Sequence, residues 1–260
     1  MPAGIIRKLT PEEEELHRKR EELAAVRATL AERELELADL LAELKAFEGL
    51  YLRQVGVLYA ELDEWEAKIA ELEAKLNPSE TATKQAHEAR TRAEETREAA
   101  HGEAAKAHDF KPSPELKRLF REVAKHIHPD FAKDEADKER RTRLMAEANE
   151  SYSRGDAEGL QNILGSYDSS SEAVPGEGIG AQLIRIIRQI HQARKNIAGI
   201  EVEVAALRQS ETAQLKQDVE TSRQNGSDTL AELAAGIRKR IAHAQNKHQG
   251  LVLGMKEHGR

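Results

Sequence analysis

ELKRLFREVAKHIHPDFAKDEADKERRTRLMAEANESY, residues Glu115–Tyr152, is the stretch that decides the fold. In its first part Leu116, Leu119, Phe120, Val123, Ala124 and Ile127 recur at three- and four-residue steps, the spacing that fills one face of a helix. Lys117, Arg118, Arg121 and Lys125 take the other side. Pro129 lacks a backbone donor and pushes His128 out of helical geometry, so the helix stops there. A charged loop, FAKDEAD, leads to a second helix from about Lys138 to Arg154, closed by Gly155-Asp156. Two helices across a short polar loop favour an antiparallel pair. His128, Pro129 and Asp130 are then expected at its tip, exposed and stiffened by proline.

This arrangement resembles the J-domain, the module by which J-domain co-chaperones engage DnaK-type chaperones. Leu116, Phe120, Val123, Ala124 and Ile127 stand at the inner positions of that family's second helix, and Lys117, Arg118 and Arg121 at its basic outer ones. The family's third helix usually carries Asn-Glu-Ala-Tyr. This chain has Asn149-Glu150-Ser151-Tyr152, with Met145 where the family normally places phenylalanine. The likeness covers residues 115–154 and departs in places. The family's first helix, with Tyr-x-x-Leu-Gly, is absent, because Ala107–Pro114 (AHDFKPSP) is rich in turn formers. Phe131 replaces the usual lysine, and Glu122 puts an acid in the basic face. With that helix missing, other helices must cover Leu119 and Phe120. The resemblance implies that His128 and Asp130 contact a DnaK-type chaperone and that Pro129 orients them. It implies that Lys117, Arg118, Arg121 and Lys125 attract an acidic surface of that partner. ATP hydrolysis would be the partner's reaction, so the chain would be no enzyme and would need no cofactor.

Composition points to long helices. Charged residues make up 33%, aromatic residues 3% and apolar residues 39%, with helical periodicity and no strand-like alternation. The expected class is all-α: long coiled-coil helices, a J-like antiparallel pair and a C-terminal helical hairpin. A net charge of −7 argues against general nucleic-acid binding. The absence of cysteine fits a reducing compartment. The opening MPAGIIRKLT has no apolar run and no stretch reaches membrane-spanning length, so a cytoplasmic protein with no membrane association is expected.

Five segments follow along the chain. Residues 10–77 read as an N-terminal coiled-coil arm, begun by a Thr10 cap and Pro11. Leu16, Leu23, Leu30, Leu37, Leu44, Tyr51, Leu58, Trp65 and Leu72 repeat every seven residues. A second row is weak at Arg20, Arg27 and Glu34 and strong at Leu41, Val55, Leu62, Ile69 and Leu76. Gly49 and Gly56 favour a bend. Residues 78–114 read as a polar helical spacer with almost no large apolar side chain. The J-like domain spans 115–165, with Leu160, Ile163 and Leu164 on a short helix that could cover its open side. Residues 166–178 (SYDSSSEAVPGEG) are a linker. Residues 179–250 read as the hairpin, one helix to about Arg223, a turn at Asn225-Gly226-Ser227, then a second helix. Its Leu183–Leu207 row is expected to cover Val55–Leu76 within the chain. The first half of the arm is left to pair with its own copy or hold a client.

No phosphate-binding glycine loop, zinc cysteine pair or nucleophile set is present. The sharpest enzymatic reading takes His126, His128 and Asp130 as metal ligands. Residues two apart on a helix point to nearly opposite sides, so the set does not converge. His87, His101 and His108 lie too far apart to share an ion. Two functions remain. One is a co-chaperone or adaptor that recruits and stimulates a DnaK-type ATPase, its coiled coils choosing a client or assembly. The alternative is a structural coiled-coil adaptor whose J-like pair stimulates nothing.

Overall fold

A computed structural model describes residues 9–102, 110–168 and 178–258, and among them the fold is all-α. Helix α1 (Pro11–Tyr51) begins as expected, with Thr10 and Glu13 satisfying each other's backbone amides at 3.3 and 2.8 Å. One π turn (Leu52–Gly56) joins it to α2 (Val57–Leu76) with helical backbone on both sides. The bend expected near Gly56 is thus a widened turn, packed so closely that a Cβ on Gly56 would meet Leu52 Cδ2 at 3.0 Å. Then come α3 (Glu80–His101), α4 (Pro114–Ile127), a short 3₁₀ turn (Pro129–Phe131), α5 (Glu135–Arg154) and α6 (Ala157–Asp168). The chain ends with α7 (Ile179–Arg208), α8 (Glu211–Gln224) and α9 (Thr229–His258).

The five sequence segments are not the compact units. The chain forms two, each drawn from two stretches: Met1–Ala42 with Phe110–Arg208, and Glu43–Asp109 with Gln209–Arg260.

In the first unit, Leu116, Phe120, Val123, Ala124 and Ile127 of α4 are buried against Met145, Ala148 and Tyr152 of α5 and Leu160 and Ile163 of α6. α5 runs antiparallel to α4. Near its start Arg141 reaches the His126 carbonyl, and near its end the Tyr152 ring rests on Phe120 with centroids 4.7 Å apart. The other side of the pair is closed by α6, and by Ala31 and Leu35 of α1. A second core joins Leu16, Leu23 and Leu30 of α1 to Ile186, Ile190, Ala193, Ile200 and Val204 of α7. Ion pairs Arg194–Glu22, Arg33–Glu201 and Arg208–Glu36 advance together along both helices, so α1 and α7 run parallel. The α7 row therefore covers the first half of the arm, not Val55–Leu76 as the sequence suggested.

In the second unit, Val55, Leu62 and Ile69 pack with Val219, Leu230, Ile237 and Ile241. The expected hairpin is absent. Lys216 of α8 reaches Glu43, whereas Arg240 and Lys247 of α9 reach Glu66 and Glu73. Glu43 and Glu66 lie roughly 34 Å apart along one continuous helix, so α9 cannot fold back beside α8. It continues past a kink at Gly226, whose φ is 79°. The single helix expected to Arg223 is also broken, because Ser210 caps a new helix by accepting a hydrogen bond from the Ala213 amide. Of the polar spacer, Glu80–His101 is a packed helix and 103–109 lies outside the described residues. Ala89 and Ala93 of α3 bury against Ala67 of α2, and Arg90 reaches Glu64 and Glu71. Of the expected linker, 169–177 lies outside the described residues and 166–168 belongs to α6. His108 also lies outside the described residues.

Candidate partner-binding site

Ser113 and Pro114 start α4, the serine accepting from the Leu116 amide at 3.1 Å. Pro129 ends it, leaving His128 at φ −55°, ψ 133°. Past the turn, Asp134 caps α5 by accepting from the Asp137 amide at 2.8 Å, and the helix starts at Glu135, three residues before the start expected from periodicity. The turn is not an exposed tip. His128 is 5% exposed, and the Asp130 side chain is 8% exposed. The reason is that α1 and α7 flank the turn with side chains that satisfy both residues.

His128 Nδ1 accepts the Asp130 amide at 3.1 Å, so in the neutral ring the proton sits on Nε2, which donates to Glu34 Oε1 at 3.1 Å. Asn196 of α7 donates Nδ2 to both carboxylate oxygens of Asp130 at 2.8 Å. Burial pushes the Asp130 carboxyl above its ordinary range, and Glu34 adds to this, while His128, Asn196 and Gln192 oppose it. Phe131 lies in the α1–α7 core, 4% exposed, with the Arg27 guanidinium 4.3 Å above its ring.

The basic face of α4 is partly occupied. Lys117 Nζ donates to Asp39 Oδ2 at 2.8 Å, and Arg121 donates to Glu32 at 3.2 Å. Tyr152, from the Asn-Glu-Ser-Tyr run, donates its hydroxyl to Asp39 Oδ1 at 2.5 Å. Arg118 and Lys125 are exposed, and Pro129 is half-buried. The structure thus brings His128, Asp130, Lys117 and Arg121 against α1 and α7, and leaves Arg118 and Lys125 facing solvent.

Periodicity gave no sign of Arg141. It is 2% exposed, donates Nε to Asp137 at 2.8 Å, and donates Nη1 to the carbonyls of His126 at 2.8 Å and His128 at 3.4 Å. It satisfies the His126 carbonyl, which α4 leaves open where proline ends it, and shares the His128 carbonyl with the Phe131 amide. The visible signal was the Asp137–Arg141 four-residue step just past a helix end. Glu34 and Asn196 were likewise missed: Glu34 read only as a weak position in the arm's second row, and Asn196 lies off the apolar row of its helix.

His126 and His128 diverge. His126 Nδ1 lies 2.7 Å from the Glu122 carbonyl, whereas His128 Nε2 engages Glu34. Among the described residues no group of three or more His, Asp or Glu side chains is arranged to hold a metal ion. Nor is any helix among them long and apolar enough to cross a membrane. Set against known protein families, curated proteins and solved structures, the chain matches none.

Proposed function

We propose that this protein is a J-domain-like co-chaperone or adaptor, working in the cytoplasm, that recruits and stimulates a DnaK-type chaperone ATPase while its long helices bind a client or assembly. The observation that carries the reading is the turn between α4 and α5. An antiparallel pair holds His128, Pro129 and Asp130 at its joint, with Lys117, Arg118, Arg121 and Lys125 along the preceding helix. Such a cationic row accelerates encounter with an acidic partner and fixes its orientation, with strong salt dependence. Hydrolysis is the partner's chemistry. In a steady-state ATPase assay with the DnaK-type chaperone from the same source, His128→Gln abolishes stimulation and leaves helix content unchanged. Stimulation that survives both this change and Asp130→Asn removes the reading.

One observation favours a second reading. His128 and Asp130 are both buried and hydrogen-bonded within the chain. In a structural adaptor whose pair stimulates nothing, those contacts would be the whole purpose of the turn. A chain that never stimulates, even with the turn released, would be that adaptor.

A further inference from the structure

We propose that the chain closes its own partner-binding surface. In this account, which rests on the co-chaperone reading, α1 and α7 occupy in cis the turn and basic face that a DnaK-type chaperone would take in trans. Stimulation then requires the turn to leave α7.

Contacts of different chemistry carry this. Phe131 stands where the resembled family has lysine, and its ring is buried among aliphatic side chains of α1 and α7. A lysine there would stay solvated, whereas phenylalanine anchors the turn. Asn196 engages both Asp130 oxygens, and Glu34 takes the single donor that neutral His128 has to offer. Along α4, Glu32 and Asp39 of α1 present the acidic surface that the basic row would seek on a partner. Each of these groups would have to be surrendered before a partner could use it.

Tethering makes the competition severe. An intramolecular contact competes at a high effective concentration, and a site that is open only part of the time binds more weakly by that fraction. Arg118 and Lys125 remain exposed in the closed form, so an electrostatic encounter can precede opening.

The test uses the full chain, with Asn196→Ala and Phe131→Lys as opening variants and two readouts. The first is carbethoxylation of His128 by diethyl pyrocarbonate, followed by mass spectrometry, with His17, whose side chain is 69% exposed, as internal standard. In the wild type His128 should react at least about tenfold more slowly than His17, and in each variant about tenfold faster than in the wild type. The second is stimulation of the DnaK-type ATPase, which should rise in the variants and vanish when His128→Gln is added. Should Phe131→Lys lose helix content, Asn196→Ala decides, since Asn196 is only half-buried. Equal labelling of His128 and His17 in the wild type overturns the closure. Equal stimulation by wild type and variants, lost with His128→Gln, overturns the closure and leaves the co-chaperone reading standing. Faster labelling in the variants with no stimulation from any form overturns the co-chaperone reading, and with it the idea that the closure guards a site.

Discussion

Arg141 shows how one side chain can hold a helix joint. Its guanidinium serves the ends of two helices at once, donating to the His126 carbonyl and pairing with Asp137. Burial opposes the charge on Asp137, but hydrogen bonds from Arg141, the Lys133 amide and Arg140 outweigh it and hold the carboxyl below its usual range. Arg141→Ala would remove one of three donors to that carboxylate and the guanidinium that serves the His126 carbonyl, a change expected to cost about 3 kcal/mol. A urea midpoint shifted by less than a third of that would show that water replaces the guanidinium. Asp130 behaves in the opposite sense. Its folded-state carboxyl is raised, so its stabilising contribution is fully present below the unfolded value and is lost as pH rises through the folded value. The stability of the wild type relative to Asp130→Asn should therefore improve as pH falls from neutrality to about 4. A difference that stays constant across that range would show that burial does not perturb the group.

Among the elements, legibility followed the size of the side chains. α4 could be read almost completely, because Leu116 to Ile127 supply large apolar groups at regular steps and Pro129 marks the end. α3 looked solvated because its buried face is alanine, at Ala86, Ala89, Ala93 and Ala100. Small residues carry little weight in a periodicity count, yet they let backbones approach closely enough for Arg90 and Arg92 to reach acids on α2. The break between α7 and α8 was written only in Ser210, a cap that looks like any helix-surface serine until the chain turns. The turn at His128 was placed correctly in the sequence and wrongly in solvent. Its burial depends on Glu34 and Asn196, which lie 94 and 66 residues from the groups they bind, and no local pattern reports such a meeting.

At the scale of the whole molecule, both compact units are built by setting the early helices beside the late ones. The row Leu16, Leu23, Leu30 depends on α7, and the row Val55, Leu62, Ile69 on α8 and α9. Deleting residues 179–260 should therefore speed amide exchange in both stretches of α1–α2. Unchanged exchange there, with a dimer by ultracentrifugation, would mean that the arm covers itself with a second copy. The same pairing has a temporal side. Glu22 and Arg194, like Glu36 and Arg208, meet across 172 residues of chain. At ordinary rates of synthesis, roughly 10–30 s separate the emergence of Leu16, Leu23 and Leu30 from that of the helix that will bury them. For that interval the emerging chain carries a leucine row with nothing yet made to cover it, so the first part of the molecule waits on the last to be buried.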